Sequence, residues 1–292
     1  MQIMLTLLHV GVGGPRWLDW SIHLDTIALI IVMAEAYRYA VVTLRPRVSD
    51  AGRVKRSQVA LFAGGLLALL LAGGSPLHNI GEQYWLSAHM LQHLVFTLVA
   101  APLLVAGTPA WLWRYLLCSP RVLPATRFLT RPLLAFGVFN ALLLVTHLPG
   151  PVDLALQNGA FHFLVHAALV LSAMLMWWPV LSPLNELPRL SPPLQMSYLF
   201  VQSLLPSVMA SFVTFADRPV YPFYRNAPRL WDVSAIADQQ IAGGLMKLLG
   251  SIILWSFMAA VFFKWYDQEQ ADSQEPRWHD VEAELEEMGL QR

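Results

Sequence analysis

Two pairs of histidines occur at the same spacing inside apolar segments, His89 with His93 and His162 with His166. Residues four apart share one face of a helix, so each pair would present two imidazoles side by side. A polar side chain inside a membrane is costly, and a cluster of them marks functional chemistry. Imidazole binds copper, zinc and iron. The spacing therefore predicts a metal or haem site that two helices build together.

The chain around these histidines is strongly apolar. Of its 292 residues, 56% are hydrophobic and 13% are charged, whereas a soluble domain carries about 25% charged residues. A transmembrane helix needs roughly 20 apolar residues, and seven runs approach or exceed this length. They are too long and continuous for barrel strands. We predict an all-α integral membrane protein with seven transmembrane helices, at 22–44, 57–74, 84–106, 131–148, 159–181, 194–216 and 235–265.

These spans define a membrane domain at 22–265, preceded by an outer N-terminal segment at 1–21 and followed by an acidic tail at 266–292. The first segment lacks a basic start and does not resemble a cleaved signal peptide. We expect the lipid bilayer as a partner and no nucleic acid. The oligomeric state is not predicted.

Arginine and lysine predict the orientation. The loops after the first and third spans are rich in basic residues, whereas the loops 75–83 and 149–158 contain none, and the loop 217–234 is an exception to this alternation. By the positive-inside rule the N-terminus lies outside and the C-terminus lies in the cytoplasm, as in a multi-pass protein of the bacterial cytoplasmic (inner) membrane. Only His279 then lies on the inner side. The other eight histidines share the outer side: His9, His23, His78, His89, His93, His147, His162 and His166.

The predicted site joins both pairs to other groups near the same depth. A lone membrane histidine usually serves helix packing, but two pairs at one depth favour a metal or cofactor. The candidate ligands are His89, His93, His147, His162, His166, Asp238, Met90 and Met246. Asp238 either caps a helix or orients a ligating histidine.

Three chemistries fit these residues. Copper is favoured by imidazole together with thioether, haem b by two axial histidines in an electron carrier or quinone oxidoreductase, and zinc by a hydrolase. The zincin motif lacks its glutamate here, because Met90, Leu91 and Gln92 separate His89 from His93. The single cysteine, Cys118, excludes a site with several thiolates.

Two further expectations concern the bundle itself. Glu35 and Lys247 fall at similar estimated depths, which predicts a structural ion pair between them. Trp177 and Trp178 lie at the inner end of the fifth span, where an aromatic belt is expected.

Several stretches of residues 84–247 resemble, in order, the multi-spanning CtaG-type assembly factors of haem–copper cytochrome c oxidase. They are His89-Met-Leu-Gln-His93, Ala101-Pro-Leu-Leu-Val-Ala-Gly-Thr-Pro109, His147-Leu-Pro149, Phe161-His-Phe-Leu-Val-His166, Trp178-Pro-Val-Leu181, Pro219-Val-Tyr-Pro-Phe-Tyr224 and Asp238-Gln-Gln-Ile-Ala-Gly-Gly-Leu-Met246. That family has seven spans, as predicted independently above.

The resemblance implies a role in oxidase maturation, in which copper is supplied to apo-oxidase subunits by a protein that is not an enzyme. Single-span assembly proteins that share the family's name use a Cys-x-Cys copper site. This chain has only Cys118, so their mechanism does not transfer. The resemblance fixes no ligand set, and the ligands named above rest on spacing.

Overall fold

A computed structural model describes residues 24–49, 51–272, 282 and 285–288. The predicted segment 1–21, His9, His23, His279 and most of the acidic tail lie outside the described residues. Over the described ranges the chain is helical and contains no strand, which confirms the all-α class. The helices are α1 (Leu24–Tyr39), α2 (Arg56–Gly74), α3 (Pro76–Gln83), α4 (Leu86–Leu94), α5 (Ala101–Gly107), α6 (Ala110–Leu117), α7 (Leu123–Leu129), α8 (Pro132–Thr146), α9 (Pro149–Gln157), α10 (Gly159–Leu181), α11 (Pro192–Thr214), α12 (Pro222–Asn226), α13 (Ala235–Gly244) and α14 (Gly250–Asp272).

Within the described ranges, six stretches of helix are long and apolar enough to cross a membrane, and they match six of the predicted spans. They are Leu24–Arg47, Arg56–Gly74, Leu86–Gly107, Gly159–Leu181, Pro192–Thr214 and Ala235–Ala271. The predicted fourth span corresponds to α8, which joins α7 at a bend of 71°, and counting this pair gives seven spans. The bend falls at Arg131, which precedes Pro132, because a residue before proline disfavours the helical conformation.

A π-helical turn interrupts the third span directly after the first histidine pair. The turn Val95–Ala100 joins α4 to α5, and a similar turn, Leu245–Leu249, joins α13 to α14. Such turns free backbone carbonyls and occur frequently at functional sites. Here the indole Nε1 of Trp177 donates to the carbonyl of Thr97 over 2.9 Å, and the Thr97 hydroxyl donates to the carbonyl of His93 over 2.7 Å. The turn therefore anchors the third span to α10 one turn beyond His93.

Helix α10 lies at the centre of the bundle. Its residues Leu169, Ala173, Met176 and Trp177 are fully buried in the largest core cluster, together with Leu199 of α11. Complete burial of large side chains fixes the position of a helix by packing. Helix α10 therefore holds its histidine pair on a rigid support.

Two sequence predictions about the bundle are wrong. Trp177 and Trp178 are buried rather than placed in an exposed belt, and the Trp178 indole donates to the carbonyl of Leu187. Glu35 pairs with Arg38 at 2.7 Å on an exposed face of α1. Lys247 instead donates to the Ser211 hydroxyl of α11 at 3.3 Å. The predicted Glu35–Lys247 pair therefore does not form.

Candidate metal centre

The six histidines that the structure describes gather at one end of the helix bundle, here called the histidine end. They are His78 from α3, His89 and His93 from α4, His147 at the end of α8, and His162 and His166 from α10. The rings of His162 and His166 have centroids 4.1 Å apart, and those of His89 and His162 are 5.4 Å apart. The two His-x3-His pairs therefore face each other across two helices that run in the same direction.

Three of these imidazoles approach closely enough to hold one metal ion. His89, His93 and His166 each offer a ring nitrogen, and these three atoms all lie within 4.8 Å of one another. His93 Nε2 and His166 Nε2 are 3.0 Å apart. Two nitrogens bound to one metal at about 2.0 Å each lie at a comparable separation in a tetrahedral site. The trio can therefore close around a cation with small movements of the rings.

His147 orients His93 through a hydrogen bond with its Nδ1 atom, on the far side of the ring from His166. Its Nδ1 lies 2.8 Å from the carbonyl oxygen of Leu143, and a carbonyl only accepts, so this nitrogen carries the proton. The Nε2 of a neutral His147 is then an acceptor, and it lies 3.2 Å from His93 Nδ1. His93 donates from Nδ1, which leaves the lone pair of its Nε2 facing His166. This is the hydrogen-bond pattern that orients a ligating histidine.

A carboxylate absent from the predicted site completes the cluster. Glu82 Oε1 lies 3.0 Å from His78 Nε2 and 2.5 Å from His162 Nδ1. Burial raises the pKa of Glu82, but the hydrogen bonds from His162 and His78 lower it by more, so its pKa lies well below the usual range. Glu82 is therefore an anion beside the histidines. The signal in the sequence was the spacing of four between His78 and Glu82, the same as in the two pairs.

Helix α3 reaches the cluster through a close contact at Gly81. A Cβ at this position would lie 3.0 Å from the backbone nitrogen and Cα of His89. The absence of a side chain lets α3 pack against α4, which brings Glu82 to His162.

Helix α12 and the residue before it hold the same end of the bundle in place through two tyrosines. The Tyr224 hydroxyl donates to the carbonyl of Gly81 over 2.6 Å, and the Tyr221 hydroxyl donates to the carbonyl of His147 over 2.9 Å. Burial raises the pKa of Tyr221 to about 12, so the hydroxyl keeps its proton and stays a donor. The Tyr-Pro-Phe-Tyr stretch therefore holds the backbone beside Glu82 and at His147.

The two methionines named in the sequence lie next to the cluster. Met90 and Met246 line a cavity of about 50 Å³ together with His93 and His147. A cavity of this size is large enough to hold water. Met90 also packs in a core cluster with Leu86 and Tyr224, so its burial is explained by packing alone.

Asp238 caps the helix that carries the first pair. Its carboxylate accepts from the backbone nitrogens of Leu86 and Ser87 at 2.8 and 3.1 Å, and from the Ser87 hydroxyl at 2.5 Å. A buried carboxylate at a helix start satisfies amide groups and complements the helix dipole. Its own helix, α13, is capped by Ser234. Asp238 therefore joins the seventh span to the start of the third.

The donor set fits a metal ion. Among the described residues, His89 Nδ1 and His162 Nε2 are buried and have no hydrogen-bond partner. A buried nitrogen without a partner is costly, and two such atoms within one imidazole cluster are accounted for when they bind a cation.

The fold and the site define an α-helical membrane protein with an imidazole-rich centre near one end of its bundle. Residues 35–268 match the cytochrome c oxidase caa3 assembly factor family, Caa3_CtaG, and the chain belongs to this family. Two mycobacterial proteins described only as uncharacterized, from Mycobacterium bovis and Mycobacterium tuberculosis, are each 24% identical over 260 residues, 82% of this chain and 38% of the relative. The chain thus spans less than half the length of these relatives. No solved structure matches it.

Proposed function

We propose that this protein binds copper at its histidine end and supports copper insertion into a haem–copper cytochrome c oxidase. The observation that carries the proposal is the trio of converging imidazoles, His89, His93 and His166, in a member of an oxidase assembly family. Neutral imidazole with nearby thioether suits copper. Both are neutral ligands, and both allow the copper ion to be passed on to another protein. The protein would present the metal to an apo-oxidase subunit and would catalyse no bond-making step.

Space favours copper over haem b. The centroids of His93 and His166 are 5.0 Å apart at a right angle, with 3.0 Å between their Nε2 atoms. A macrocycle would have to separate the two helices, whereas a single ion would not.

Metal analysis of the protein purified from membranes, with its optical spectrum, tests the proposal. We expect copper in an amount comparable with the protein and no Soret band. A Soret band with a sharp band on reduction would instead support the electron carrier. Zinc in place of copper would support a hydrolase, for which Glu82 would be a better candidate base than Asp238, whose carboxylate caps α4.

The histidine end is proposed to face outward from the bacterial cytoplasmic membrane. The basic loops that follow the first and third spans belong to the opposite end, in agreement with the positive-inside rule. This orientation would give the site access to an oxidase subunit from the outer side.

Cysteine labelling tests this orientation. Gln157 and Gln268 are both exposed and lie at opposite ends of the bundle. In a Cys118→Ser background, an impermeant thiol reagent should label Gln157→Cys in intact spheroplasts and should leave Gln268→Cys unlabelled until the membrane is opened. Asn79 is buried, so it is a poor labelling position. The reverse pattern would overturn the orientation.

A further inference from the structure

We infer that Glu82 is a positioning residue that makes His162 the fourth imidazole ligand of the centre and supplies a negative charge beside the bound cation. This inference rests on the proposed copper function, and it extends the site beyond the His89, His93 and His166 trio. It concerns a carboxylate that the sequence analysis did not include in the site.

Hydrogen bonding fixes the proton on His162. A carboxylate accepts hydrogen bonds, so the 2.5 Å contact with Glu82 Oε1 puts the proton on His162 Nδ1. The Nε2 of the neutral ring is then a lone pair, and it is buried without a partner among the described residues. The His162 ring lies 4.1 Å from the His166 ring and 5.4 Å from the His89 ring by centroid. The lone pair thus belongs to a ring that lies beside two members of the trio, and this ring would have to shift to bring Nε2 into the group of nitrogens within 4.8 Å of one another.

A chain of hydrogen bonds holds Glu82 in turn. His78 Nε2 donates to the same Oε1 atom at 3.0 Å, while His78 Nδ1 accepts from Gln92 Nε2 at 2.7 Å. Gln92 is fully buried on α4, one residue before His93. These hydrogen bonds therefore link α4 to α3 and then to α10. The position of the Glu82 carboxylate is fixed by contacts with both α3 and α10. A carboxylate that fixes the tautomer of a ligating histidine raises its basicity as a ligand.

Charge gives a second reason for this role. Four neutral imidazoles leave the charge of a bound cation uncompensated, and an uncompensated charge is costly in a buried site. Asp238 is engaged by the backbone of Leu86 and Ser87, whereas Glu82 contacts the imidazole cluster directly. The Glu82 side chain is 25% exposed. It therefore lies between the buried rings and the surface.

The test compares full-length Glu82→Ala and Glu82→Gln with the wild type and with Glu186→Gln. Glu186 is an exposed glutamate that pairs with Arg114 at 2.6 Å, away from the histidine end. Cu(I) affinity is measured by competition with a chromophoric chelator, and the number of bound imidazoles by X-ray absorption. We expect four imidazoles in the wild type, three in Glu82→Ala, and an affinity about 10 to 100 times weaker in that variant. Glu82→Gln keeps an acceptor but loses the charge, so it should keep four imidazoles and bind more weakly. Glu186→Gln should match the wild type.

Nitrogen NMR of ring-labelled histidine separates failure of this inference from failure of the copper function. The signal of His162, assigned with His162→Asn, should show the Nδ1-protonated tautomer in the wild type and lose it in Glu82→Ala. If the wild type binds no copper, the copper function is rejected, and the tautomer still decides the role of Glu82. An unchanged tautomer in Glu82→Ala overturns the inference, as do four imidazoles with wild-type affinity. Should Glu82→Ala not accumulate, unchanged affinity in Glu82→Gln overturns the role of the charge.

Discussion

Replacement of His166 by alanine should weaken copper binding by more than about 100-fold while the protein continues to accumulate in the membrane. His166 Nε2 lies 3.0 Å from His93 Nε2, and its ring is only half-buried. Loss of a residue that merely orients a ligand already weakens metal binding by about 10 to 100-fold, so loss of a ligand itself should exceed that range. His89→Ala and His93→Ala should behave in the same way. Copper retained after purification, together with membrane abundance, measures the effect.

His147→Ala should cause a smaller loss, of about 10 to 100-fold. It removes the acceptor for His93 Nδ1 but leaves the trio in place. Gln195→Leu is the control, because it removes a buried polar side chain that donates to the carbonyl of Leu190 outside the histidine cluster. If the trio variants retain wild-type copper, the binding site lies elsewhere. Equal losses for His147→Ala and His166→Ala would contradict the division into ligand and support.

Spacing predicted the most important feature of the centre, because a separation of four residues fixes a shared helix face. The sequence therefore identified both pairs, and the fold brings their rings together at one end of the bundle. It could not identify the trio, because the choice among six histidines depends on which ring nitrogens converge. That choice is set by partners such as the carbonyl of Leu143, which no local pattern reveals.

The incorrect ion pair has a clear physical cause. Position along a span gives an estimate of depth, but it does not say which helix is the neighbour or which way a side chain points. Glu35 finds Arg38 three residues away on α1, whereas Lys247 faces Ser211 on α11. Equal depth was therefore insufficient evidence of contact.

The role of Asp238 also shows that position along a span does not reveal which helix a side chain contacts. The sequence predicted a capping or orienting carboxylate near the start of the last span. In the fold it caps a different helix, 151 residues earlier in the chain, through Ser87. Pairing across such a distance follows from helix packing, and the packing of α13 against α4 is not encoded in any short motif.

Deletion of this protein should leave the oxidase polypeptides largely made and supplied with haem, but poor in copper and low in activity. The proposed role is to raise the local supply of copper at an apo-oxidase subunit, so the missing function is metal loading rather than synthesis. Extra copper in the medium should restore part of the activity, because mass action can replace a delivery factor. The copper and haem content of the purified oxidase, per polypeptide, measures the outcome.

Returning variants of the protein to the deletion strain shows whether the copper defect of the oxidase comes from loss of the histidine cluster. The wild-type protein and Gln195→Leu should restore copper to the oxidase, whereas His166→Ala should not, at equal abundance in the membrane. Because Gln195 lies outside the histidine cluster that contains His166, a difference between these two variants reports the metal site and not the presence of the protein. An electron carrier would leave the oxidase of the deletion strain replete with copper and impair only electron flow. Full copper occupancy in that strain would therefore reject copper delivery.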